Sequence, residues 1–345
     1  MSRYRYRMRA LGCASLALCL LLGFSSVPAY AQDTWTRHTH IAHGMGQLDG
    51  VNTTNAKEAF VLNYEKGFRV FEADLILTSD DRLVARHDWS DYLTRLLRQP
   101  VASEQKADEP MSLEQFKERN ILDRYRPLEV TELLSLLQAY PDAYLVTDTK
   151  ETDPKLVEKQ FRLLVEAARS MDSKLLDRII PELYSPDMIR QVRTIYPFSS
   201  YLFSLYLSSL SHDEVLKEVR TLGIKAIAMP TERVDPTWMR RLQAEGAVVY
   251  THTLNDAREW EKLRQMGVHG VYTDELPPTI RRTAVSLKES EGLLEMKTDM
   301  TAVSQPSILN TEADNEALLS VPAEPFRISW LLERVKAWLN LNGSV

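Results

Sequence analysis

The sequence predicts an α/β protein: a (β/α)8 barrel of the TIM type, with an inserted loop after its second strand and a C-terminal helical tail. Three observations predict it. Short β-rich stretches alternate about eight times with amphipathic helical ones, the pattern of a parallel sheet with crossover helices. The 345 residues, 44% of them hydrophobic, can build one large core, and barrels of this class run to roughly 250 residues as a single domain. Acidic and imidazole side chains gather at the C-terminal ends of the proposed strands, where such barrels carry their sites.

Residues 1–31 read as an export signal. Arg3, Arg5, Arg7 and Arg9 precede an apolar run from Leu11 to Phe24, and the small-residue pattern Ala29-Tyr30-Ala31 follows. A membrane anchor fits less well, because the run falls short of the roughly 20 residues that span a bilayer and no stop-transfer pattern follows. A lipid-modified cysteine also fits less well, since Cys13 precedes most of the run and Cys19 follows Leu18. Cleavage after Ala31 would leave 314 residues and remove both cysteines, so the mature chain is expected to be exported, to the periplasm or beyond, without thiol or disulfide chemistry. Losing four arginines and no acid takes the net charge from −6 to −10. That balance disfavours nucleic acid and broad adhesion to anionic lipid, while a local basic pocket can still take an anionic substrate.

The barrel domain is expected over residues 32–283. Its strands fall at 39–43, 68–75, 143–148, 178–184, 201–206, 224–229, 247–252 and 270–274, each a β-branched or aromatic run. Between them, residues 54–67, 127–140, 153–170 and 185–196 have helical periodicity. The long polar stretch 98–128 reads as a loop on the β-to-α face, placed to act as a lid or selectivity element. Residues 284–325 form a polar linker. Residues 326–345 form an amphipathic helix that puts Phe326, Trp330, Leu331, Val335, Trp338 and Leu339 on one face, to dock on the barrel or to touch a membrane surface or partner.

The chemistry is read from the strand ends. Glu72 and Asp74 are two apart in a strand, so both carboxylates point to one side while Ala73 points away. Asp148 and Lys150 repeat that spacing one strand on and add a third oxygen ligand beside a positive charge. Three carboxylates without thiolate suit a hard cation, Mg²⁺ or Ca²⁺, better than zinc. Apolar neighbours such as Val70, Phe71 and Val146 imply near-buried strand ends, where unpaired like charges are costly and a cation relieves the cost. His43 ends the first strand and His87 follows the Leu83–Arg86 run. Glu182, His252 and Asn255 end later strands and face the same mouth, as candidate contacts to substrate.

The stretches IAHGMG (41–46), TNAKEAF (54–60), FEADLILTSDDRLVARHDW (71–89), LVTDTK (145–150), VVYTHTLND (248–256) and GVHGVYTDELP (267–277) together resemble the glycerophosphodiester phosphodiesterase family. The wider group includes phosphatidylinositol-specific phospholipases C and sphingomyelinase D enzymes. The resemblance spans about residues 39–280, in order and spacing. It implies a TIM-type barrel with a divalent cation, His43 and His87 as the two catalytic histidines, Glu72, Asp74 and Asp148 as metal ligands, and Lys150 on the phosphate. Asp148-x-Lys150 is similar to the sphingomyelinase D version of the third motif.

Three positions depart from the family pattern. Gly44 stands where an arginine usually helps to hold phosphate, Thr54 replaces a glutamate before Asn55, and Asp81-Arg82 replaces an Asp-Gly turn. The resemblance implies a hydrolase releasing glycerol phosphate and an alcohol by acid/base catalysis, with attack by a neighbouring substrate hydroxyl. Two alternatives stand beside it: a phospholipase of the C or D type acting on membrane headgroups, and a barrel without turnover that serves as an envelope binding module.

Overall fold

The computed structural model describes residues 34–100 and 108–278. The proposed signal, the polar linker, the C-terminal helix and part of the inserted stretch lie outside the described residues. Eight parallel strands close into a barrel: β1 His40–Ala42, β2 Val70–Leu77, β4 Tyr144–Asp148, β5 Ile179–Leu183, β6 Leu202–Ser204, β7 Ala226–Pro230, β8 Val248–His252 and β9 Gly270–Thr273. Closure falls on the three-residue β1, which pairs with β2 through Ile41 and Val70 and with β9 through Ile41 and Tyr272. All eight strands fall where the alternating pattern predicts them.

The outer helices begin where short polar side chains can cap them. Asp153, Ser185 and Asp235 each precede a proline, and each accepts hydrogen bonds from backbone amides of the first turn. A proline has no amide proton to lose at that position, and its fixed φ starts the helix. The helix His212–Leu222 uses a reciprocal Ser211 and Glu214 box and stops at Gly223, which adopts φ +63.

The barrel floor is apolar. Ile41, Val70, Val146, Ile180, Leu202, Ala226, Ala228, Tyr250 and Tyr272 pack inside it. Trp35 stacks on Tyr250 at 5.4 Å and donates its indole N–H to Ser200 Oγ at 2.8 Å, closing the N-terminal end. Gly270 makes room for this plug, because a Cβ there would lie 2.4 Å from the Tyr250 ring. Polar side chains are thereby confined to the opposite end.

One strand escaped the sequence pattern. β3, Leu83–Ala85, folds back antiparallel on the end of β2, pairing Leu75 with Ala85 and Leu77 with Leu83 across a turn in which Asp81 takes φ +60. Arg86 N–H then donates to Asp74 O at 2.9 Å. His87 therefore sits on a hairpin arm returned to the level of Asp74, not at the end of a barrel strand.

The described part of the inserted stretch also carries regular structure. It follows a short helix, Asp91–Leu96, and contains another, Leu113–Glu118, whose start is closed by Ser112 and Gln115. Met111, Phe116, Ile121 and Leu122 are buried. Among the described residues no helix is long and apolar enough to cross a membrane.

Trp35 is buried and closes the N-terminal end of the floor, so Trp35→Ala should lower stability by about 3–5 kcal/mol. Urea or guanidinium unfolding with an unchanged m-value measures it.

Candidate active site

The acids predicted to converge do so. Asp74 and Asp148 are register partners on adjacent strands, and Glu72, two residues before Asp74, points to the same interior. One carboxylate oxygen from each of Glu72, Asp74 and Asp148 lies within 4.8 Å of the other two, and all three residues are buried. Gly44 N–H donates to Glu72 Oε2 at 2.7 Å. The other oxygen, Glu72 Oε1, is buried without a hydrogen-bond partner. An orphaned carboxylate oxygen beside two more acids is the donor set a hard cation fits.

The remaining donors orient the other two acids. Asn55 holds Asp74 twice, donating from Nδ2 to Asp74 Oδ2 at 2.7 Å and accepting the Asp74 N–H on Oδ1 at 3.1 Å. Lys150 reaches Asp74 Oδ1 at 2.8 Å and Asp148 Oδ2 at 2.6 Å. Tyr184 donates its hydroxyl to Asp148 Oδ1, which also accepts the Lys150 N–H at 3.2 Å.

Electrostatics divides the acids. Burial, and then the charge of Asp74, push Glu72 well above the usual carboxylate range. Burial would also raise Asp74, but the charges of Lys150, His87 and His43 outweigh it and hold Asp74 far below that range. The charges of both imidazoles thus bear on one carboxylate.

Each histidine is backed by an acid. His43 Nδ1 lies 2.8 Å from Asp274 Oδ1, and His87 Nδ1 lies 2.7 Å from Asp88 Oδ2. Asp274 is lowered: burial opposes this, but the charge and hydrogen bond of His43 prevail. Asp88 is lowered against burial by its bond to His87. An ionised carboxylate only accepts, so Nδ1 carries the proton in both rings. Burial alone would depress His43, yet Asp274, Glu72 and Asp74 together raise it to about 9.

Asp274 and Asn55 were not singled out in the sequence. Asp274 was visible only as the end of the GVYTD run, and its partner lies 231 residues away. Asn255 bonds Asp274 rather than opening toward the mouth: its Nδ2 donates to Asp274 Oδ2 at 2.7 Å and its Oδ1 accepts the Asp274 N–H at 2.9 Å. Asn52 adds a donor at 3.0 Å. Glu182 is buried beside Asp148 and accepts from the Tyr272 hydroxyl at 2.7 Å. Burial and the Asp148 charge raise it to about 7. His252 packs between Tyr206, at 5.2 Å, and Tyr272, at 5.8 Å.

Gly44 has a structural cause. It is buried at φ +52, and a Cβ would lie 2.6 Å from Thr53 Cα. Any side chain there, arginine included, would collide with the backbone of the β1 loop. Thr54 is buried behind that loop, and its hydroxyl has no partner.

A protein-family model described as the glycerophosphoryl diester phosphodiesterase family matches residues 48–277. A glycerophosphodiester phosphodiesterase of Bacillus subtilis (strain 168) is 21% identical over 234 residues, covering 63% of this chain and 78% of the relative. Among solved structures, a glycerophosphodiester phosphodiesterase from Parabacteroides distasonis superposes with a TM-score of 0.56 at 20% identity, over 75% of this chain and 98% of that one. An Oleispira antarctica phosphodiesterase, solved in complex with the product sn-glycerol-3-phosphate, gives 0.56 at 16% identity over 69% and 93%. These likenesses bear out the barrel.

The raised His43 predicts a pH dependence. A group at 6.5 in the unfolded chain and about 9 in the folded one stabilises fully below pH 6.5 and loses that contribution as pH rises to 9. Chelator-treated protein should lose stability across that window, and Asp274→Asn should flatten the slope; denaturant titrations at stepped pH measure both.

Proposed function

The chain belongs to the glycerophosphoryl diester phosphodiesterase family, and from that premise we propose an exported, metal-dependent hydrolase that cleaves glycerophosphodiesters to glycerol phosphate and an alcohol, with His43 and His87 as its acid/base pair. The observation that carries the reading is the gathering of three buried acids, a lysine and two carboxylate-backed imidazoles at one end of the barrel.

Phosphodiester cleavage needs charge neutralisation on the phosphoryl oxygens, a base for the attacking hydroxyl and an acid for the leaving alcohol. A Mg²⁺ or Ca²⁺ held by Glu72, Asp74 and Asp148 would supply Lewis-acid neutralisation of the phosphoryl group. Gly44 and Asn55 orient two of these acids through backbone and amide bonds. Lys150 adds an ammonium beside them, in the role that an arginine at position 44 cannot fill here. One imidazole takes the proton of the attacking hydroxyl at Nε2 while the other gives a proton to the departing oxygen. Asp274 and Asp88 stabilise whichever ring is cationic. A hydroxyl on the glycerol carbon next to the ester is the natural first nucleophile; it gives a cyclic phosphate that water then opens, and the two imidazoles exchange roles.

Export rests on the basic, apolar and small-residue pattern of residues 1–31. Burial of Glu182 and its bond to Tyr272 support a structural role for it, and the Tyr206 and His252 rings are the surface on which the alcohol can lie.

Mature protein assayed on glycerophosphocholine, glycerophosphoinositol and lysolipids should release product with Mg²⁺ or Ca²⁺ and none with EDTA. His43→Ala and His87→Ala should each lower kcat by about 10³-fold. No turnover across the panel would favour the binding module. Cleavage confined to vesicles, and lost on deleting residues 326–345, would favour the phospholipase.

A further inference from the structure

Arg86 is a buried charge that this mechanism leaves unused. It directly precedes His87, is 2% exposed, and bonds the Asp88 turn, Thr94 and Gln99 of the inserted stretch. Its three acceptors among the described residues are neutral oxygens: Nε donates to Asp88 O at 2.6 Å, Nη1 to Gln99 Oε1 at 2.8 Å and Nη2 to Thr94 Oγ1 at 3.0 Å. Gln99 passes the link on, donating from Nε2 to Arg119 O at 2.7 Å. Thr94 Oγ1 donates to Ser90 O at 3.0 Å, and Leu122 N–H donates to Leu97 O at 2.8 Å. A guanidinium taken out of water for neutral acceptors is a poor way to stabilise a fold, so what it holds in place is the informative part.

It holds the residue that orients His87. The Asp88 carbonyl is fixed by Arg86, and the Asp88 carboxylate is fixed by Ser90 N–H at 2.8 Å and by the imidazole. With carbonyl and carboxylate both pinned, the turn has one orientation, and so does the ring. The same inserted stretch reaches the other histidine's loop. Arg124 pairs with Asp49 in the loop after β1, and Tyr125 donates to Asp49 Oδ2 at 2.8 Å.

We propose that the described part of the inserted stretch, residues 98–100 and 108–128, is a brace that ties the His87 turn to the His43 loop, and that Arg86 is the positioning residue through which it sets the His87 imidazole. This rests on the reading of His87 as half of the acid/base pair. The geometry of the two rings relative to phosphate is what the brace fixes, and displacement of a catalytic group by about 1 Å costs about 10²-fold in rate.

The test compares full-length mature Arg86→Gln, Arg86→Lys and Gln99→Met with wild type by three readouts. These are steady-state kinetics on the glycerophosphodiester turned over best, calorimetric binding of Mg²⁺ or Ca²⁺, and ¹⁵N–¹H spectra of the histidine side chains. Arg86→Gln should lower kcat by about 10²-fold, with KM and metal affinity within about threefold. Arg86→Lys, whose ammonium can still reach the Asp88 carbonyl, should recover about tenfold of that loss. Gln99→Met should fall between wild type and Arg86→Gln. The His87 Nδ1–H resonance should weaken and move in the same order, while that of His43 stays.

An unmoved His87 resonance with unchanged kcat in Arg86→Gln overturns the proposal. A parallel loss of KM, metal affinity and both resonances also overturns it, since that is general unfolding. If Arg86→Gln does not fold, Arg86→Lys and Gln99→Met decide by the same criteria. If wild type turns over no phosphodiester, the proposed function fails, and the His87 resonance alone still decides whether the brace exists.

Discussion

Three carboxylates within 4.8 Å of one another, out of water, form the constraint around which the upper end of the barrel is organised. Like charges so close and so poorly solvated cannot all ionise unaided. Each neighbour can be understood as an answer to that repulsion. Lys150 lies between Asp74 and Asp148, Asn55 clamps Asp74, Tyr184 donates to Asp148, and the Gly44 amide faces Glu72. The imidazoles are drawn into the same field, and each is steadied from behind by a carboxylate of its own. Charge balance and catalytic readiness are therefore the same arrangement seen from two sides.

That arrangement explains why a buried glycine can stand where a guanidinium is expected. Gly44 offers its amide to Glu72 only because the chain turns through φ +52 there and the loop comes back to press Thr53 against it. The position is committed to holding a metal-ligand candidate through its backbone, so positive charge for a phosphoryl group has to come from side chains elsewhere. Lys150 is the cation so placed.

Local pattern made much of this legible. β-Branched and aromatic runs marked all eight barrel strands, and helical periodicity marked the helices that follow Asp153 and Ser185. The i, i+2 logic put Glu72 with Asp74 and Asp148 with Lys150. What stayed hidden depends on distance along the chain or on backbone sign. Leu83–Ala85 folds back antiparallel on the end of β2, outside the strand-and-helix alternation that marked the barrel strands. Asp274 matters because of a partner 231 residues away, and Asn55 because of one 19 residues away. The stretch 98–128 looked like loop because its polar majority masks buried apolar anchors such as Met111, Phe116, Ile121 and Leu122.

The seam of the barrel carries a further meaning. β1 and β9, at opposite ends of the domain, meet through three residue pairs, and the bond from His43 to Asp274 crosses that junction. Contacts of such long sequence separation are won late, since the loop-closure entropy of the whole domain must first be overcome. An incompletely folded chain can gather its acids from β2 and β4, which are near neighbours in space and order, yet it lacks an oriented first imidazole. On the proposed role of His43, the acid/base pair is complete only once the last strand has docked on the first.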